Sequence, residues 1–351
     1  MYADAAPIFQ NLGCSLTAVS TSSSVGEFAP VLRKAGYEIK HLPLPRLRNY
    51  ISRLGYYWRF IRLLKKNKYD VVHIHRNGVF WAMALCAWIA NVKSVYTFHN
   101  VFNAPKAAYI YHWWLRWSAK NIFKCQFQTI SDSVYNNELN YYHNKTTKIY
   151  NWYGSQRFFP GTKLEKMEIR KDLNISEDAL VLISVGGCSH IKRHSEILKA
   201  LPLILEKVPN CIYLHLGTGS IEQTEKDLVK RFSLEKHVIF CGNQKDVRKF
   251  LIASDIYLMP SKHEGIPITT IEAMGCKIPA ILYDVPGLCD FNKQYETSLL
   301  IKEDYKKLAK NAVLLSKNII KREELINNAK HFVDTNFSIK DNAERIFNLY
   351  K

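Results

Sequence analysis

Acid is scarce at the start of this 351-residue chain: residues 1–160 hold 6 Asp and Glu against 20 Lys and Arg. The remainder holds 25 against 29, so +14 of the net +18 belongs to the first part. Glycine is sparse, at 15 residues, and none near the start forms the glycine-rich turn that follows the first strand of a dinucleotide-binding fold. The 8 cysteines, at 14, 86, 125, 188, 211, 241, 276 and 289, include no C-x-x-C pair. That argues against a zinc site or a disulfide framework and for a reducing compartment. No apolar run reaches the roughly 18–20 residues of a spanning helix. The longest, from Val79 to Ala90, reads as a buried helix. Low-complexity tracts, repeats of 20–50 residues and a D-x-D element in a binding context are all missing.

What is present alternates. Apolar strands such as Asp70-Val71-Val72-His73-Ile74-His75 are interleaved with helix-period segments, twice over, which predicts two doubly wound α/β domains. The boundaries fall at 1–155 and 156–336, with a last helix over 337–351. Ser131-Asp132 supplies a helix N-cap. From Lys148 to about Ser176 the pattern loosens, and charged residues 163–171 read as an exposed link. The chain opens inside a helix, so the first domain is expected to lack its opening strand. The expectation is a truncated chain or a wrong start codon; otherwise a central gap with exposed strand edges is tolerated.

One stretch concentrates chemistry: Pro260-Ser261-Lys262-His263-Glu264-Gly265-Ile266-Pro267-Ile268-Thr269-Thr270-Ile271-Glu272-Ala273-Met274-Gly275. It follows the apolar strand Ile256-Tyr257-Leu258-Met259, and Pro267 suits a first helical position. Free N–H groups around Gly265, Ile266, Ile268 and Thr269 make an anion cradle. Glu264 in the entry loop and Glu272 in the helix each offer a carboxylate that accepts two hydroxyl protons, as a vicinal diol requires.

This E-x7-E element, with its Glu-Gly-Ile-Pro entry and Glu-Ala-Met helix, resembles the retaining glycosyltransferases of family 4 (group 1). The resemblance implies the GT-B architecture, two Rossmann-like domains facing across a cleft, with the last helix crossing back to the first domain. It implies transfer of a sugar from a nucleotide-diphosphate donor to a hydroxyl acceptor, without a metal and with no cofactor beyond the donor. Glu264 would meet the sugar, Glu272 the ribose, and residues 265–269 the phosphate. After the strand ending at Val185, Gly186-Gly187-Cys188-Ser189-His190-Ile191-Lys192 matches the turn whose Lys reaches the diphosphate. The Arg of that turn is replaced by Gly187, and Arg193 is the candidate for the second charge. In the first domain His99 would orient the acceptor hydroxyl, as a catalytic residue with Glu264. His73 and His75 alternate on one face of a strand and read as structural, with no third metal ligand near in sequence.

Between Arg46 and Lys68, eight cations meet no acid, and Tyr56, Tyr57, Trp58 and Phe60 lie among them. Such a segment suits an anionic membrane surface; no nucleic acid is expected. The expected setting is cytoplasmic, peripheral on the inner membrane face, with a lipid-linked glycan acceptor in surface polysaccharide assembly. The alternatives are a nucleotide-sugar epimerase of the same fold or a degenerate nucleotide-sugar-binding protein.

Overall fold

The computed structural model describes residues 2–45 and 50–351, so Arg46 and Arg48 of the basic segment lie outside the described residues. The chain divides into two compact units: Met1–Trp152 with Ile339–Lys351, and Tyr153–Ser338.

The first unit opens on helix α1 (Tyr2–Asn11) and continues β1 (Thr17–Ser20), α2 (Ala29–Lys34), β2 (Glu38–His41), α3 (Tyr50–Asn67), β3 (Val71–Ile74), α4 (Phe80–Ala90), β4 (Lys93–Phe98), α5 (Tyr109–Asn121), β5 (Gln126–Thr129), α6 (Asp132–Tyr142) and β6 (Thr147–Lys148). Ser131 caps α6, its hydroxyl accepting from the Val134 N–H at 3.3 Å. Strand β4 is buried from Ser94 to Phe98, as a strand covered on both faces must be. Helix α4 is less buried than its composition predicts: Trp88 and Ile89 face solvent. Arg116 of α5 meets Glu138 of α6 through two 2.8 Å bonds, both side chains buried, and its guanidinium lies 3.5 Å from the Tyr142 ring centre.

All pairing in this unit is parallel, but it forms two sheets, β1-β2 and β3-β4-β5-β6. Among the described residues no strand joins β1 to β3. Between them lies a cavity of about 700 Å³, walled by both strands, by Tyr2 and Phe9 of α1, and by Phe60, Leu63 and Leu64 of α3. At its rim Arg76 donates to the Thr21 carbonyl and hydroxyl at 3.1 and 2.8 Å. The gap expected from the missing opening strand is therefore present.

The second unit runs α7 (Lys163–Asp172), β7 (Leu180–Val185), α8 (His194–Leu205), β8 (Cys211–Leu216), α9 (Glu222–Arg231), β9 (Val238–Gly242), α10 (Val247–Ala253), β10 (Ile256–Met259), α11 (Ile268–Gly275), β11 (Ala280–Tyr283), β12 (Leu299–Ile301), α12 (Tyr305–Lys317) and α13 (Ile319–Asn336). Helix α7 corrects the expected exposed link. Thr162 caps it, and Arg170 turns inward to Asp255 at 2.7 Å and to the Ala253 carbonyl at 2.9 Å. Its charge is partly structural, which composition conceals. The sheet has the order β12-β11-β10-β7-β8-β9, and β7, β10 and β11 are buried throughout. This is the doubly wound order 3-2-1-4-5-6 read from the other edge. In the first unit the cavity occupies the place that β7 holds here.

The chain ends in α14 (Ile339–Tyr350), which packs with α1: Ala343 and Ile346 share a core with Ala5, Phe9, Ile149 and Trp152.

Candidate functional site

In an open α/β sheet, ligands bind where the strand order reverses, beyond the carboxyl ends of the two central strands. In the second unit these strands are β7 and β10. Their following loops, residues 186–193 and 260–267, hold most of the residues singled out in this half of the sequence. A backbone bond ties the loops together, the Lys262 N–H donating to the Ile191 carbonyl at 2.8 Å.

A second tie is ionic. Lys192 Nζ meets Glu264 Oε1 at 2.8 Å, the two side chains 22% and 13% exposed. The Lys192 methylenes cross Gly186 so closely that a Cβ there would lie 3.1 Å from Lys192 Cε. Glu264 is held from behind. Its N–H donates to the Pro286 carbonyl at 3.0 Å, and Gly287, at φ +83°, approaches so closely that a Cβ would stand 2.3 Å from the Glu264 carbonyl oxygen.

Pro267 precedes α11 rather than opening it: it is the N-cap, in extended conformation, and Ile268 is the first helical residue. No side chain caps this end. The first-turn N–H groups, of Ile268 and Thr269 foremost, have no acceptor within the helix. The Thr269 hydroxyl donates to the Val185 carbonyl at 3.3 Å and lies 3.0 Å from the Tyr257 hydroxyl. Burial chiefly raises the Tyr257 phenol pKa, and the carboxylates of Glu264 and half-buried Glu272 raise it further. Both acids thus lie within electrostatic reach of one phenol. Arg193 does not join this set. It pairs with Glu303 and, at 3.8 Å, with Glu196, its guanidinium 5.5 Å from the Tyr283 ring centre.

In the first unit, His99 follows β4 and His75 follows β3, with His75 Nδ1 3.1 Å from His99 Nε2. His73 stacks on His75, ring centres 4.3 Å apart. It also lies 2.7 Å from the Tyr350 hydroxyl and 2.6 Å from Thr97 Oγ1, which donates to Gln128 Oε1 at 2.7 Å. Desolvation pulls all three histidine pKa values down, His75 although its surface is open to the cavity; neighbouring imidazoles add to this for His73 and His75. At neutral pH this is a set of uncharged donors and acceptors.

Two family models cover nearly the whole chain. Residues 6–160 match Glycosyltransferase Family 4, and residues 165–332 match Glycosyl transferases group 1. This chain belongs to the group 1 glycosyltransferases.

Relatives of this glycosyltransferase include the putative glycosyltransferase EpsD of Bacillus subtilis, 25% identical over 71% of this chain and 68% of that protein. Another is the Escherichia coli UDP-Gal:alpha-D-GlcNAc-diphosphoundecaprenol alpha-1,3-galactosyltransferase, 24% identical over 82% of this chain and 77% of that one. Among solved structures, a Rickettsia africae glycosyltransferase superposes with TM-score 0.83 at 20% identity, over 99% of this chain and 92% of that one. Anabaena HepE in complex with UDP and glucose gives 0.84 at 16%, over 99% and 94%. These confirm the GT-B fold class.

The structure brings together Gly186, Lys192, Glu264, Gly265, Ile266, Ile268, Thr269 and Glu272 around the two loops of the glycosyltransferase's second unit. His99 belongs to the other unit. Sequence reasoning missed Tyr257, which looks like any buried strand residue, and the partnership of His99 with His73 and His75. The alternation of His73 and His75 was the available signal, but the β3–β4 pairing that delivers His99 to His75 is not written locally.

Proposed function

We propose that this glycosyltransferase moves a sugar from a uridine-diphosphate donor to a hydroxyl of a lipid-linked glycan, with retention at the anomeric carbon. The Lys192–Glu264 pair carries the reading. A diphosphate entering the crevice competes with Glu264 for the Lys192 ammonium, and the displaced carboxylate is then free to accept sugar hydroxyls. Lys192 and the first-turn N–H groups of α11 meet charge that grows on the departing diphosphate, so they stabilise the transition state more than the ground state. Glu272 reads the ribose diol. His99, held neutral, orients the acceptor hydroxyl, and the departing phosphate oxygen takes its proton on the same face. This scheme assigns no step to a metal ion.

The galactosyltransferase relative, named for UDP-Gal and a diphosphoundecaprenol-linked acceptor, and the UDP bound by HepE favour a uridine donor and a diphospholipid acceptor. A membrane-facing surface fits the first unit. Ile51, Leu54 and Trp58 of α3 and Ile110, Tyr111 and Trp114 of α5 are exposed, and Arg53, Arg59, Arg62, Lys65 and Lys66 lie on α3. No described helix is long and apolar enough to cross a membrane.

The test is UDP release from a panel of UDP-sugars with a polyprenyl-diphosphate-linked acceptor and no added magnesium, with the linkage read by NMR. An α-linked product from an α-donor supports the reading; product from Lys192→Ala at the wild-type rate sinks it. Flotation with vesicles should depend on anionic lipid.

A further inference from the structure

Four side chains behind the donor loop converge without having been placed in the transfer scheme. Cys188 lies in the loop after β7, His194 opens α8, His215 is the penultimate residue of β8, and Glu225 lies in α9. All four are buried. One donor atom from each falls within 4.8 Å of every other. His215 Nε2 is 3.0 Å from Glu225 Oε2 and 3.9 Å from Cys188 Sγ, and His194 Nδ1 is 3.4 Å from Glu225 Oε1. His194 Nε2 and His215 Nδ1 have no hydrogen-bond partner among the described residues, and His194 Nδ1 and Glu225 Oε1 face each other at 3.4 Å without hydrogen-bond geometry. Buried polar atoms are almost always satisfied, so a buried imidazole nitrogen and carboxylate oxygen that meet without a hydrogen bond call for a partner, which a shared cation would supply.

We propose that Cys188, His194, His215 and Glu225 form a four-coordinate site for zinc or a similar borderline divalent cation. One sulfur, two imidazole nitrogens and one carboxylate oxygen are the donors zinc prefers, and a full set of four protein ligands marks a structural site. Bonds of about 2.0–2.3 Å on a tetrahedron set donor separations of about 3.3–3.8 Å. Three of the separations, 3.0, 3.4 and 3.9 Å, lie within about 0.3 Å of that range, and the chosen donors all fall within 4.8 Å of one another. Binding releases the Cys188 thiol proton to solvent. The thiolate and the carboxylate then balance the dication, leaving a neutral complex in a buried place.

The consequence is positional. Cys188 and His194 bracket the segment that presents Lys192, so a metal ties both ends of that loop to β8 and α9. The turn after β8 already grips the first end, with the Cys188 N–H donating to the Thr218 carbonyl at 3.2 Å. The inference is independent of the transfer chemistry, because the metal would lie behind the loop and touch no substrate.

The test uses the full chain, dialysed first against Zn2+ and then against Co2+. Elemental analysis is expected to find about one zinc per chain, as a four-ligand structural site requires. The cobalt form should show visible bands of tetrahedral Co2+ and a near-ultraviolet thiolate-to-cobalt band. That band should disappear in Cys188→Ala and persist in Cys14→Ser, and zinc removal should lower the melting temperature. A folded wild-type chain that takes up neither metal overturns the proposal and leaves a histidine–glutamate hydrogen-bond network. So does a thiolate band that survives Cys188→Ala. The wild-type measurement decides even if a variant fails to fold, and Glu225→Gln, expected to weaken binding at least tenfold, gives a second variant.

Discussion

Replacing Glu264 by Gln separates two jobs that the Lys192–Glu264 pair combines. Gln keeps the size and one acceptor oxygen but removes the charge that holds Lys192. The pair is at 2.8 Å and only partly exposed. After discounting for solvent screening, its release is worth about 1 kcal/mol to an incoming diphosphate, or roughly fivefold in affinity. Glu264→Gln should therefore bind UDP, which carries no sugar, about fivefold more tightly while transferring sugar much more slowly. Lys192→Ala removes a charge-assisted contact of about 1.5–3 kcal/mol, less the 1 kcal/mol already spent on Glu264. UDP binding should weaken about 2- to 30-fold, and turnover should fall further. Titration calorimetry with UDP on both variants and the double mutant reads these numbers directly. If Glu264→Gln weakens UDP binding as much as Lys192→Ala does, the competition described here is wrong.

Gly287→Ala forces a side chain into positive φ and against the Glu264 carbonyl, so roughly 1–3 kcal/mol of stability and much of the activity should be lost; melting temperature and turnover report it. Glu138→Ala strands a buried Arg116 and should destabilise the first unit by about 3–5 kcal/mol in urea unfolding. The histidines at 73, 75 and 99 have folded pKa values below the ordinary 6.5, so the unfolded chain binds more protons than the folded one in the window beneath it. Stability of the first unit should be full above about pH 6.5 and decline as pH falls further; a His99→Gln variant should show a shallower decline in melts at stepped pH.

The proposed donor half of the site is legible in the sequence because its residues are local. Glu264, the free N–H groups before Thr270 and Glu272 belong to one loop and one helix, and Lys192 sits at a fixed step after a strand end. The β-α alternation likewise gave both α/β units. What escaped depends on strand order. His99 reaches His75 only because β3 and β4 are neighbours, and Cys188 reaches His215 only because β7 lies beside β8. The spacing from 188 through 194 and 215 to 225 matches no short metal motif, so scattered cysteines looked inert. Helix α7 escaped because charge is normally a sign of solvent, whereas Arg170 uses it to bind Asp255 and three backbone carbonyls.

The seam in the first unit should also be visible in its motions. A ladder of peptide bonds transmits cooperativity across a sheet, and between β1 and β3 that ladder is interrupted. The α1–β2 segment is joined to the rest by ring packing, a few side-chain bonds such as Arg76 to Thr21, and the embrace of α14. Such a segment can open on its own at well below the free energy of global unfolding. Amide hydrogen exchange should then show β1 and β2 exchanging together and early, while β4 and β5 keep their protons for far longer.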